Sequence, residues 1–186
     1  MAVFLAWPWL HFGWGHLFGN LPFFFALSFA ICIRSIIDFV VVFCLSMWIG
    51  GLGVWLFGGS NSIHAGASGV IMGMFAALLC RVIFERSLVS LIWAAIIAVF
   101  YGSLFYVLIP SAAYSWQGHL FGFLGGFVAA AVLGVRSQRE RARAGNEIGS
   151  ENQELTRFDD LKLDENIDRF ASKDEMFKEV EQQMKV

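Results

Sequence analysis

Charged side chains are nearly absent from the first 135 residues of this 186-residue sequence. Those present there are Arg34, Asp38, Arg81, Glu85 and Arg86, and every other charge comes later in the chain. With 58% hydrophobic residues and a mean hydropathy of +0.65, the sequence is too apolar for an ordinary soluble domain of this length. The scarcity of charge therefore excludes such a domain and indicates a polytopic membrane protein with a charged tail.

Cysteine is also scarce, and the chain start lacks the basic segment of a cleavable signal. Cys32, Cys44 and Cys80 lie in or at the ends of apolar runs without motif spacing, which favours packing roles over disulfides or metal ligands. The sequence contains no metal-ligand spacing and no phosphate-binding glycine loop. We therefore expect no cofactor, no metal and no nucleic-acid partner.

Long apolar segments predict the membrane spans. Because about 20 residues of helix cross about 30 Å of hydrocarbon, segments of this length are candidates. The candidates are residues 16–33, 39–57, 67–81, 88–109 and 117–135. Their short connections are typical of an antiparallel bundle. We predict an all-α transmembrane bundle over residues 1–135 and a charged cytosolic tail over residues 136–186.

Basic residues predict the orientation of this bundle. Arginines follow the first, third and fifth spans, whereas the segments 58–66 and 110–116 carry neither arginine nor lysine. Since basic loops stay in the cytosol, the first, third and fifth spans run from outside to inside. Their N-terminal ends therefore meet at the external level of the membrane.

Those three external ends carry the polar residues that are able to take part in catalysis. They are His16 and Asn20 in the first span, Ser68 in the third and His119 in the fifth. Taken alone, Ser68 favours a helix cap over a nucleophile, and isolated His or Asn residues in bundles commonly form interhelical hydrogen bonds. Convergence of four such residues at one level favours a reactive site.

Two glycine-rich faces predict that Ser68 and His119 approach each other. The faces consist of Gly69, Gly73 and Ala77 in the third span and Gly118, Gly122 and Gly126 in the fifth. Small residues at four-residue spacing permit close contact between helices. A serine hydroxyl beside an imidazole is an activated nucleophile, which suggests acyl transfer. Because hydrolysis needs water, we expect an outward-opening cavity at Ser68.

The remaining polar residues suggest an oxyanion-binding site and a dyad. His16 and Asn20 are four residues apart and share one helix face, from which both can donate hydrogen bonds to a developing oxyanion. No acidic third member is expected, because Asp38 and Glu85 lie at the cytosolic helix ends. Met72, on the face of Ser68, either helps to hold the imidazole or packs in the core.

Together these motifs resemble those of the rhomboid intramembrane serine proteases, in the family's order. The matching residues are His11, His16 and Asn20, then Gly66-Ala67-Ser68-Gly69, then His119, Gly122 and Gly126. The resemblance implies Ser68 as nucleophile, His119 as general base, and His16, Asn20 and Ser68 in the oxyanion hole. It further implies a six-helix fold, structural support from His11 and the glycines, and cleavage of transmembrane proteins near their external ends.

The sequence departs from the family pattern in two places. The family's first helix and most of its long first loop have no counterpart here, and Met72 stands where many members have a tyrosine. Either a first span is missing from this chain or its short N-terminus crosses the membrane unaided. A catalytically impaired relative that binds transmembrane clients is the main alternative function, and a small transporter is a second. We expect a multi-pass protein of a bacterial inner membrane, surrounded by lipid.

The tail has a partial apolar stripe, which predicts one or two amphipathic helices, with disorder as the alternative. The stripe consists of Leu155, Phe158, Leu161, Ile167, Phe170, Met176, Phe177, Val180 and Met184.

Overall fold

Every regular element in the described part of the chain is helical. The computed structural model describes residues 6–58, 64–111 and 114–183. Beyond residue 164 it describes the backbone of this range but only some of the side chains. The helices are α1 (Trp14–Cys32), α2 (Ile36–Phe57), α3 (Ser68–Glu85), α4 (Leu88–Tyr101) and α5 (Trp116–Gln183). A 3₁₀ segment, Gly102–Leu108, continues α4. Among the described residues, five helices are long and apolar enough to cross a membrane, which confirms the predicted all-α polytopic bundle.

Local sequence signals define several helix ends. The side chain of Ser35 accepts hydrogen bonds from the first backbone N–H groups of α2, and Ser87 caps α4 in the same way. Arg86 adopts a left-handed conformation with φ of 48° directly after α3. A residue in this conformation commonly ends a helix, so α3 stops at Glu85 and the chain reverses within two residues into α4.

Helix α3 is the central helix of the bundle. In its 18-residue span 72% of the residues are buried inside the protein, against 17% for α1 and 28% for α2. Two glycines along α5 contact it closely: a Cβ added at Gly122 would collide with the Gly69 carbonyl, and one at Gly126 with the Gly73 carbonyl. The predicted glycine faces of the two helices are therefore in direct contact, and their small residues permit this approach.

A cluster of charged side chains joins α2, α3, α4 and the turn before α2, at the end of α3 opposite Ser68. Arg34 Nη2 lies 2.7 Å from Glu85 Oε2, and Arg81 Nη1 lies 2.5 Å from Asp38 Oδ2. Arg81 also pairs with Glu85, which accepts a further hydrogen bond from Ser90. At 1.5 Å per residue, Glu85 is about 25 Å along the helix from Ser68. The carboxylates of Asp38 and Glu85 therefore pair with arginines at this end and lie too far away to assist the serine.

The chain divides into two compact units, Met1–Gln138 and Arg139–Val186. The second unit is helical through Gln183, and its side chains Leu155, Phe158 and Leu161 are exposed. Met184 and the side chains of Ile167, Phe170 and Phe177, which belong to the predicted stripe, lie outside the described part of the structure.

Candidate active site

Ser68 is the first residue of α3, and the backbone of the loop before it is tightly constrained. Gly66 has φ of 120°, in the region that favours glycine, and its N–H donates to the Trp7 carbonyl at 2.9 Å. A Cβ at Gly66 would lie only 2.6 Å from His16 Cε1. Glycine is therefore required at position 66 both by backbone conformation and by the proximity of His16.

Ser68 and His119 are joined by a hydrogen bond. Ser68 Oγ lies 2.8 Å from His119 Nε2, although 51 residues separate the two in sequence. The imidazole is buried, with 5% of the residue exposed. The structure thus brings together the two residues that the sequence predicted as nucleophile and base, and their catalytic roles stay predictions.

The backbone carbonyl of Val107 sets the tautomer of His119. His119 Nδ1 lies 3.0 Å from this oxygen, which belongs to the 3₁₀ segment after α4. Because a carbonyl can only accept, Nδ1 carries the proton and Nε2 presents its lone pair to the Ser68 hydroxyl. Val107 O therefore orients the imidazole, as an acidic third member does in a triad. Sequence analysis missed this contact because a backbone acceptor has no residue signature.

Tyr114 supplies an aromatic contact to His119. Its ring centroid lies 5.5 Å from that of His119, and its hydroxyl donates to the carbonyls of Tyr106 and Ile109, each at 3.1 Å. Met72 lines the same cavity and is almost fully buried in the core. Sequence analysis considered Met72 for holding the ring and missed Tyr114, whose position five residues before His119 was the available signal.

His16 and Asn20 lie beside the Ser68 loop. A Cβ built on Gly66 would be 2.9 Å from His16 Nε2 and 3.6 Å from Asn20 Nδ2, so both side chains adjoin this glycine. Within the described residues, His16 Nδ1 and Asn20 Nδ2 are buried without a hydrogen-bond partner. These two nitrogens therefore have hydrogen-bonding capacity that no group in the described part of the structure uses.

Two residues near the chain start support this arrangement. The His11 ring meets the His16 ring edge-on at a centroid distance of 5.2 Å. Trp7 is buried, and its ring would be 2.5 Å from a Cβ on Gly69. The Trp7 side chain therefore packs against the first turn of α3. Sequence analysis named His11 and missed Trp7.

The polar residues of the candidate site line a cavity of about 780 Å³. Its lining includes His16, Asn20, Ser68, Met72 and His119, together with apolar side chains from α1 and the 3₁₀ segment. Since one water occupies about 30 Å³ of liquid, the cavity has room for an extended peptide segment and water. Within the described residues, no group of three His, Cys, Asp or Glu side chains could hold a metal ion.

The fold and this site define a class: an integral, multi-pass helical membrane protein with a serine–histidine pair in a cavity at the start of two adjoining helices. The chain belongs to the rhomboid family, because residues 2–136 match the family model "Rhomboid domain". This match confirms the resemblance found from the motifs. Membership of this family suggests an intramembrane protease.

Similar proteins occur in bacteria. The chain is 34% identical over 153 residues to "Uncharacterized protein Rv1337" of Mycobacterium tuberculosis and to "Uncharacterized protein Mb1372" of Mycobacterium bovis. Each alignment covers 76% of this chain and 64% of the relative, so the chain spans less than two thirds of these proteins' length. It is 27% identical over 133 residues to "Putative rhomboid protease YdcA" of Bacillus subtilis, covering 70% and 66% of the two chains. No solved structure gives a significant match.

Proposed function

We propose that this chain is an intramembrane serine endopeptidase that uses a Ser68–His119 dyad. The observation that carries the proposal is the hydrogen-bond chain from Ser68 Oγ through His119 Nε2 and Nδ1 to Val107 O. This order leaves one acceptor nitrogen for the serine proton and one donor nitrogen that stays bound. A serine in this setting is an activated nucleophile.

In the acylation step, Ser68 Oγ attacks the scissile carbonyl of the substrate while His119 Nε2 takes the hydroxyl proton. The imidazolium that forms is held by Val107 O through its Nδ1–H. His119 then gives the Nε2 proton to the leaving amine as the peptide C–N bond breaks, which leaves an acyl-enzyme. In deacylation, water from the cavity is deprotonated by His119 and attacks the ester, and the proton returns to Ser68.

The oxyanion of each tetrahedral intermediate is stabilised by the His16 and Asn20 side chains and the Ser68 backbone N–H. The buried Asn20 Nδ2, which has no partner within the described residues, supports this assignment, since a buried donor without a partner is costly in the resting protein. His16 is assigned because its Nε2 adjoins Gly66. The Ser68 N–H lies at the N-terminal end of α3, where the helix dipole favours negative charge. Four glycines allow these groups to approach closely because they have no side chain: Gly66, Gly69, Gly122 and Gly126.

The substrates are transmembrane proteins, cleaved near their external ends. The proposed orientation places Ser68 at the external side of a bacterial inner membrane, with the tail from residue 136 in the cytosol. The arginine distribution and the bacterial origin of the relatives support this arrangement. A reporter fused after Val186 is then resistant to protease added outside intact cells.

The test of the function is cleavage of a transmembrane reporter by the purified chain in lipid, beside Ser68→Ala. The matched control is Ser28→Ala, which removes another hydroxyl inside the bundle, on α1 away from the cavity lining. Cleavage by the wild type and by Ser28→Ala, with none by Ser68→Ala, would support the proposal. A folded and inserted wild type that cleaves nothing and does not react with a serine-directed fluorophosphonate would overturn it and favour a client-binding protein.

A further inference from the structure

A histidine that the proposed mechanism does not use lies on the loop before Ser68. His64 lines the cavity, and its Nδ1 lies 2.5 Å from Ser115 Oγ. Fifty-one residues separate His64 from Ser115, as they separate Ser68 from His119. The same two chain segments are therefore joined twice, and the second hydrogen bond lies four residues before the first on each segment.

Ser115 controls the start of the helix that carries His119. Its Oγ accepts a hydrogen bond from the Gly118 N–H at 3.2 Å, and its carbonyl accepts one from the His119 N–H at 3.2 Å. Ser115 is thus the N-terminal cap of α5. A displacement of Ser115 is passed through both hydrogen bonds to the turn on which the imidazole stands.

The other side of the His64 ring contacts the end of α2. A Cβ added at Gly58 would lie 2.8 Å from His64 Nε2 and 3.4 Å from its Cδ2. The Gly58 N–H is itself bonded to the Val54 carbonyl at 2.7 Å. The imidazole is therefore held between the last turn of α2 and the cap of α5, while its own backbone leads into α3.

We propose that His64 is a positioning residue that sets the distance between Ser68 Oγ and His119 Nε2. It does so by holding Ser115, the cap of α5, against the loop that leads into α3. This inference rests on the proposed function. Its physical basis is that two segments joined at one point can pivot, whereas a second hydrogen bond four residues away restricts that rotation. Because a misplacement of about 1 Å can reduce a reaction rate about 100-fold, such a restraint matters for the dyad.

The kinetic test measures the second-order rate at which a fluorophosphonate labels Ser68 in the purified full chain. We expect His64→Ala and Ser115→Ala each to lower this rate about tenfold or more. The double variant should be no slower than the slower single variant, because both substitutions remove one shared interaction. His64→Asn should restore the rate to within about threefold of wild type, since its amide reaches the place of Nδ1, while His64→Gln should not.

A spectroscopic test does not depend on activity. The ¹⁵N chemical shifts of the His119 ring report its hydrogen bond to Ser68 and can be assigned by comparison with His119→Ala. We expect them to change in His64→Ala and Ser115→Ala and to return to wild-type values in His64→Asn. The control is Ser35→Ala, which removes the cap of α2 at the other end of the bundle and should leave these shifts unchanged.

The outcomes separate this inference from the proposed function. Unchanged His119 shifts and labelling rates in His64→Ala and Ser115→Ala overturn the inference. The inference also fails if these variants are less stable than wild type while both readings stay unchanged. If the wild type is not labelled but the His119 shifts depend on His64, the positioning role holds and the protease proposal fails. If His64→Ala does not fold, Ser115→Ala and the Asn and Gln variants decide the question by the same readings.

Discussion

Ser68 Oγ and His119 Nε2 lie 2.8 Å apart, and the far nitrogen of the same imidazole lies 3.0 Å from the Val107 carbonyl. The nucleophile–base pair thus has a backbone acceptor in the place that an aspartate occupies in a triad. The ion-pair cluster of α3 is about 25 Å away along the helix, so its carboxylates have no part in this arrangement.

Removal of the imidazole tests the dyad directly. We expect His119→Ala to lower the rate of Ser68 labelling and of reporter cleavage by at least about 10³-fold, because it removes the imidazole nitrogen that is hydrogen-bonded to the Ser68 hydroxyl. The thermal midpoint of the variant, measured in the same lipid, should remain close to that of wild type. Cleavage by His119→Ala at more than a tenth of the wild-type rate would contradict the proposed base.

Asn20 tests the oxyanion hole. We expect Asn20→Ala to lower kcat about 10²- to 10³-fold with little change in KM, because the donor acts on charge that develops only in the transition state. The matched control is Gly15→Ala on the same helix, where an added Cβ meets nothing within 4 Å. An effect on KM alone would assign Asn20 to substrate binding instead.

The glycine contact between α3 and α5 has a predictable energetic cost. In Gly126→Ala the new Cβ collides with the Gly73 backbone, so we expect a loss of about 1–3 kcal/mol in the free energy of unfolding, with reduced activity. Gly102→Ala is the control, because its Cβ would enter open space. Equal thermal midpoints for these two variants would show that the helices separate at little cost.

The charged cluster should act on stability and not on chemistry. Arg81→Leu leaves Asp38 and Glu85 buried without this partner, for which we expect a loss of about 3–5 kcal/mol in the free energy of unfolding. Arg86→Asn removes an exposed arginine at the same end of α3 and keeps a residue that tolerates the left-handed conformation, so it should have little effect. Urea or thermal unfolding in a defined detergent measures both. An Arg81→Leu variant as stable as Arg86→Asn would refute the assignment.

Acid should weaken the fold through His64. Burial lowers the pKa of this imidazole from its ordinary value of 6.5. Because the unfolded chain binds a proton at higher pH than the folded chain, stability contributed by neutral His64 is present above pH 6.5 and is lost as the pH falls below it. The difference in thermal midpoint between wild type and His64→Asn should therefore shift against the wild type between pH 7 and pH 5, since an amide does not titrate. A difference that is constant with pH would contradict this prediction.

Much of the fold could be predicted from apolar run length, because a helix must satisfy its backbone hydrogen bonds within the bilayer and needs a definite length to cross it. The apolar part of the predicted third span, 67–81, was expected to lead to a helix end near Glu85, and α3 ends there. The sequence shows Arg81 and Glu85 only as charges near that end. In the structure these residues continue α3 and are buried in ion pairs. Pairing with Arg34 and Asp38 makes their burial tolerable, and such long-range pairing has no local sequence signal.

The sequence by itself determined that this is a multi-pass helical membrane protein, through its composition and arginine placement. Together with the glycine spacing, it also placed Ser68, His119, His16 and Asn20 at the N-terminal ends of their helices. Helical periodicity and the cost of charge in lipid are local properties, so they can be read from the sequence. Only the tertiary structure decided that Val107 O holds His119, that Tyr114 packs on it and that His64 bonds to the cap of α5. These contacts depend on how distant segments meet, and a backbone carbonyl or a loop side chain does not indicate in sequence which partner it will have.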